Sequence, residues 1–159
     1  ELRQQGLDPD WIVFATSSGG THAGLLLGAR KTGSQAKILG ISVDKPAREF
    51  CETIAEIANA GANLVQLETK FQPEEILVND GYCASGYGVL TPAEKEAILL
   101  FARHEAILLD PVYTGRAAAG LIDLIRKGFF KPDEKVLFWH TGGTPALFAE
   151  PYRGELLGS

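Results

Sequence analysis

Trp11-Ile12-Val13-Phe14-Ala15-Thr16-Ser17-Ser18-Gly19-Gly20-Thr21-His22-Ala23-Gly24 is the stretch on which the fold turns. Residues 11–15 form a continuous apolar run of strand length, the pattern of a strand covered on both faces. Thr16 to Gly20 make a small polar turn. Thr21 to Lys31 then read as a helix with Leu25, Leu26 and Ala29 along one side. The same alternation continues outward. Lys37 to Val43 is a second strand candidate, and Pro46 opens a helix to about Ala60, with Gly61 as its expected stop. Asn63 to Leu67 is a short third strand candidate.

Between Gly81 and Gly88 lie three glycines and two tyrosines, too irregular for the interior of an element. Thr91-Pro92-Ala93-Glu94 then starts a helix running to about Glu105, with Thr91 as N-cap and Glu94 completing a capping box. Ile107 to Leu109 is a short strand candidate, followed by Asp110-Pro111-Val112-Tyr113 and a helix to about Lys127. Lys135 to His140 is the last strand candidate. Strands separated by helices imply parallel pairing. The expected fold is α/β: an open, mostly parallel sheet with helices on both faces, a three-layer α/β/α domain covering residues 1–159. Ligands of such sheets bind beyond the carboxyl ends of the strands.

The chain has 159 residues, 45% hydrophobic and 22% charged, which is the size and composition of one globular domain. The net charge of -5, with no basic block, argues against a nucleic-acid partner. No apolar run approaches the roughly 20 residues that span a bilayer, so no membrane partner is expected. Two cysteines, Cys51 and Cys83, make neither a disulfide framework nor a metal cluster, and a reducing cytoplasmic compartment is the default. His22, His104 and His140 show no metal-ligand spacing. The chain starts with Glu1 and contains no methionine, compatible with numbering that begins inside a longer polypeptide.

Three segments fall just beyond strand candidates. Ser17 to Gly24 joins a buried strand to a helix, so unpaired N–H groups and the positive end of the helix dipole face the turn. Gly19 and Gly20 let the backbone approach oxygen atoms, and the Ser18 and Thr21 hydroxyls donate to them. A phosphate suits this loop; a tight turn with a hydroxyl cap suits the spacing equally. Neither the dinucleotide fingerprint nor the P-loop pattern matches. Asp110 to Gly115 presents the Tyr113 phenol on a turn stiffened by Pro111; alone, a half-buried tyrosine with a satisfied hydroxyl is the plainer reading. His140 to Thr144 offers paired glycines against which something flat can lie, with His140 read as a hydrogen-bonded structural histidine.

In combination, Ser17-Ser-Gly-Gly-Thr-His-Ala-Gly24, Gly86-Tyr87-Gly88, Leu109-Asp-Pro-Val-Tyr-Thr-Gly115 and His140-Thr-Gly-Gly143 resemble one family. It unites D-cysteine desulfhydrases and aminocyclopropane-carboxylate deaminases within the tryptophan-synthase-β-like pyridoxal-phosphate fold, fold type II. The likeness runs from about residue 7 to about 150, and the phrase around Tyr113 is its most specific part. The resemblance implies pyridoxal 5'-phosphate as cofactor, with Ser17, Ser18, Gly19, Gly20 and Thr21 as the phosphate cup. It implies Thr141 facing the pyridine nitrogen, Gly142 and Gly143 beside the ring, and Tyr113 and Tyr87 as active-site tyrosines. A small amino-acid substrate and a homodimeric full-length protein are implied too.

The deaminases place a glutamate directly after the tyrosine, where it keeps the pyridine nitrogen protonated, and an apolar residue at the position of Thr141. Here Thr114 and Thr141 favour the desulfhydrase branch, because expelling a thiolate demands a weaker electron sink than opening a cyclopropane. The implied reaction is α,β-elimination of D-cysteine to pyruvate, ammonia and hydrogen sulfide.

The pattern breaks at the cofactor lysine, which the family carries in a Gly-Asn-Lys motif absent here. Lys45, following a strand, is the one lysine to examine. The expectation is that the chain is part of a longer two-domain enzyme and is inactive alone. Arg116 stands where lysine is common in relatives, and Ala106 where glycine is expected; neither is expected to touch the ligand. The rival readings are a deaminase or another β-eliminating lyase, a non-catalytic module binding a phosphate or nucleotide, and a structural remnant.

Overall fold

A computed structural model describes residues 1–2, 4–83 and 85–157; Ala84, within the irregular 81–88 segment, lies outside them. Four parallel strands stand in the order β3-β2-β1-β4: β1 (Trp11–Thr16), β2 (Lys37–Ser42), β3 (Leu77–Asn79) and β4 (Val136–Phe138). β1 is internal and pairs in register with β2 from Trp11↔Lys37 to Thr16↔Ser42. Its residues are buried almost throughout, which is why it reads as an unbroken apolar run.

Helices cover both faces. On one, Ala117, Leu121 and Leu124 of α4 (Thr114–Arg126) pack on Trp11, Val13, Leu39 and Ile41. On the other, Leu25, Leu26 and Ala29 of α1 (Gly20–Thr32) pack on Ile12, Phe14 and Ile38. α2 (Ala47–Leu64) lies beside α1 and covers the β3 end through Phe50, Ile54, Ala55 and Ala58. α3 (Pro92–Glu105) packs on the outer side of α4 through Ala97 and Ile98. A short α5 (Tyr152–Leu157) closes the described chain. The three-layer arrangement matches the expectation, as does the Thr91/Glu94 capping box.

Two strand candidates are corrected. Asn63 and Leu64 are the last turn of α2, and Val65 to Leu67 only turn away from it. Gly61 does not stop the helix, because its missing side chain makes room for Leu27: a Cβ there would lie 2.6 Å from Leu27 Cδ1. The third strand is instead Leu77–Asn79. Ile107 to Leu109 joins no ladder; the Leu108 carbonyl accepts from His140 Nε2 at 3.0 Å and Thr144 Oγ1 at 3.3 Å rather than from a strand. Ala106 ends α3 in the left-handed region, φ 55°, which explains the expected glycine.

Candidate active site

The turn after β1, the Asp110–Gly115 turn and the loop after β4 meet at the carboxyl ends of the strands. A cavity of about 140 Å³ there is lined by Ala15, Thr16, Ser17, Ser18, Gly19, Thr21, Tyr113 and Thr141. Of the residues singled out from sequence, Gly20 and Gly142 flank this lining without forming it. Tyr87 reaches the site through its neighbour: its phenol hydrogen-bonds the Tyr113 phenol, the rings edge to face with centroids 5.9 Å apart.

Each loop is held by identifiable contacts. In the first, Gly19 is the left-handed N-cap of α1 and no side chain caps that helix start, so its N–H groups face the cavity mouth without a protein partner of that kind. Ser17 Oγ leans on Asp44 at 3.4 Å. Behind them, the buried Thr16 Oγ1 has no hydrogen-bond partner.

In the second loop, one buried carboxylate organises everything. Asp110 Oδ2 accepts the Val112 and Tyr113 N–H groups, both at 2.8 Å. Its Oδ1 accepts the Thr114 N–H and hydroxyl, both at 2.7 Å, while Thr114 Oγ1 accepts the Asp110 N–H at 2.8 Å. The third loop is pinned to the second. Gly142 N–H donates to His140 Nδ1 at 3.0 Å, leaving Nε2–H to donate to Leu108, so His140 is the hydrogen-bonded structural residue expected. Gly143, at φ 92°, lies so close to Asp110 that a Cβ would come within 2.8 Å of the carboxyl carbon. Only glycine fits this approach.

The shared hydrogen bond with Tyr87, then burial, then the charges of Asp110 and Asp44 push the Tyr113 phenol up to about 12. It is protonated at neutral pH. His22, in the first turn of α1, is buried with both ring nitrogens unpartnered, edge-on to Phe14. Burial pushes it down to about 4, the Ile38 backbone pulling weakly the other way without reaching hydrogen-bond geometry.

Lys45 is outside the site. Its ammonium sits on the surface, paired with Glu49 at 3.0 Å, which raises its pKa. A larger groove, about 440 Å³, opens at the opposite end of the sheet; its Arg30 is engaged by Glu75 and the Phe71 ring. Among the described residues no three His, Cys, Asp or Glu side chains cluster as metal ligands, and no helix is long and apolar enough to cross a membrane.

Sequence reasoning set Arg116 aside, yet it is a completely buried residue bonded to the segment that carries Tyr87. Its pairing with Glu94, 22 residues away in sequence, has no signal in the sequence.

The three loops thus set hydroxyls and an uncapped helix start beside a phenol and a threonine at the strand ends. The chain belongs to the family of pyridoxal-phosphate dependent enzymes, whose family model matches residues 1–142; members of this family use pyridoxal phosphate. It is 40% identical over 150 residues to a 1-aminocyclopropane-1-carboxylate deaminase of Methylobacterium sp. (strain 4-46), covering 94% of this chain and 44% of that protein. It is 44% identical over 138 residues to a D-cysteine desulfhydrase of Klebsiella pneumoniae subsp. pneumoniae, covering 87% and 41%. A crystal structure of an ACC deaminase homologue superposes with a TM-score of 0.85 at 34% identity, covering 98% of this chain and 46% of that one. The chain thus spans less than half the length of these relatives.

Proposed function

We propose that this chain is the cofactor-binding α/β domain of a longer two-domain pyridoxal-phosphate lyase of the D-cysteine desulfhydrase type. The cup fits the cofactor's phosphate. The α1 start carries no side-chain cap, so an anionic oxygen would satisfy N–H groups the protein leaves open. Ser17, Ser18 and Thr21 would hold the phosphate with the backbone of Gly19 and Gly20. Thr141 and Gly142 would lie against the ring, Thr141 facing its nitrogen. Bound pyridoxal phosphate supplies an electron sink for negative charge at the substrate's α-carbon.

The chain's own contribution to the chemistry is the tyrosine pair. With its pKa pushed up, Tyr113 Oη carries a proton at neutral pH, so it can donate a hydrogen bond that orients the substrate and steadies a departing thiolate. Tyr87, hydrogen-bonded to that phenol, adds a second polar contact.

The observation that favours the desulfhydrase branch is the setting of Thr114. It is fully buried, and its hydroxyl is engaged by Asp110 in both directions. No carboxylate lines the cavity, and the hydroxyl residue facing it from the last loop is Thr141. A neutral partner for the ring nitrogen suits thiolate expulsion. The lysine that binds the cofactor would lie outside this chain, Lys45 being engaged elsewhere. The test is the full-length protein with pyridoxal phosphate, offered D-cysteine and aminocyclopropane-carboxylate separately. Pyruvate with hydrogen sulfide is expected; 2-oxobutyrate from the cyclopropane would move it to the deaminases.

A further inference from the structure

We propose that Arg116 is the positioning residue of the tyrosine pair: its guanidinium ties both shoulders of Tyr87 to the turn of helix that carries Tyr113. Tyr87 sits in the irregular segment before α3, with Gly86 and Gly88 in left-handed conformations at φ 95° and 74° on either side. Packing does little to hold it, since Tyr87 and Val89 are about half exposed. Hydrogen bonds must. Arg116 Nη1 donates to the Gly86 carbonyl at 2.9 Å and to the Val43 carbonyl. Nη2 donates to the Val89 carbonyl at 2.9 Å and to Ser85 Oγ at 3.3 Å. From the other side the Tyr152 hydroxyl donates to the Gly88 carbonyl.

Arg116 itself is fixed. Its side chain is buried, and Nε donates to Glu94 Oε1 at 2.8 Å, while Glu94 Oε2 accepts the Thr91 N–H at the start of α3. Arg116 lies one helical turn beyond Tyr113, so a single turn of α4 carries one phenol outward and the clamp for the other inward. In this chain the planar fork of five donors serves Glu94 and the carbonyls of Gly86 and Val89 at once. A lysine has one nitrogen, which cannot pair with Glu94 and still reach the carbonyls on both sides of Tyr87.

The inference draws on the proposed reaction only for the use of the pair; its geometry is tested on the 159-residue chain without cofactor or substrate. Failure of the reaction assignment would therefore leave the result standing. The four tyrosines are labelled with carbon-13 at Cζ and titrated by NMR in the parent chain and in Arg116→Lys. In the parent, the expected result is a Tyr113 titration at about 12. In Arg116→Lys the Tyr87 loop is released and Tyr113 falls toward the ordinary phenol value of about 10. Asp110 and Asp44, the carboxylates that also bear on Tyr113, are unchanged. Tyr82, bonded to Asp123 at 2.6 Å, keeps its raised value and serves as the internal control for folding. Should Arg116→Lys fail to fold, Arg116→Met with Glu94→Gln removes the guanidinium without stranding a buried charge. A folded variant of either kind in which Tyr113 titrates as in the parent overturns the proposal.

Discussion

Asp110 shows how much one side chain can organise. Its carboxylate accepts three backbone N–H groups and a hydroxyl at the start of α4, so Asp110→Ala would leave buried donors unpaired. The expected cost is about 2 kcal/mol or more, read as a lower urea midpoint. His22 gives a pH effect whose sign follows from its depressed pKa. Above the ordinary histidine value both folded and unfolded chains hold it neutral. As pH falls from about 6.5 toward about 4, only the unfolded chain takes the proton, and stability drops by about 3 kcal/mol across that window. Replacing His22 with Leu should abolish that acid loss in urea titrations at stepped pH. At this scale Tyr113, Thr141 and the hydroxyls of residues 17–21 were legible, because each stands in a short phrase at a strand end. Arg116 was not, because a sequence does not say which arginine will be buried among carbonyls.

Among the elements, β1, β2, α1 and α4 could be read almost to the residue, since each has a long apolar run or stripe bounded by turn residues. The errors lie where a short run has two explanations. Gly61 looks like a helix stop but makes room for Leu27 between α1 and α2. Leu77–Asn79 is too brief to announce itself, and Ile107–Leu109 has strand composition without a neighbour to pair with. The junction of the last two loops is likewise invisible in sequence, because the contact of Gly143 with Asp110 spans more than thirty residues. Gly143→Ala should cost about 1–2 kcal/mol, both for its left-handed φ and for the lost approach, measured as a reduced thermal midpoint. It should also weaken binding of pyridoxal phosphate, followed by fluorescence quenching, because Thr141 moves with that loop.

The molecule as a whole carries its site over the carboxyl ends of the central strands. The phenols of Tyr87 and Tyr113, with Thr141, are open to solvent, and the chain spans under half the length of its relatives. With pyridoxal phosphate added, the 159 residues alone should release no hydrogen sulfide from D-cysteine; a sulfide assay showing turnover would contradict the division of labour proposed above. The fold itself is held at a small discount that can be recovered. The alanine at the end of α3 occupies a backbone region that disfavours any Cβ, and it does not line the cavity. Exchanging Ala106 for glycine should therefore give a tougher protein, gaining about 1 kcal/mol and a melting point higher by about 2–4 °C. Such a background would let damaging substitutions at the site be purified and measured instead of being lost to misfolding.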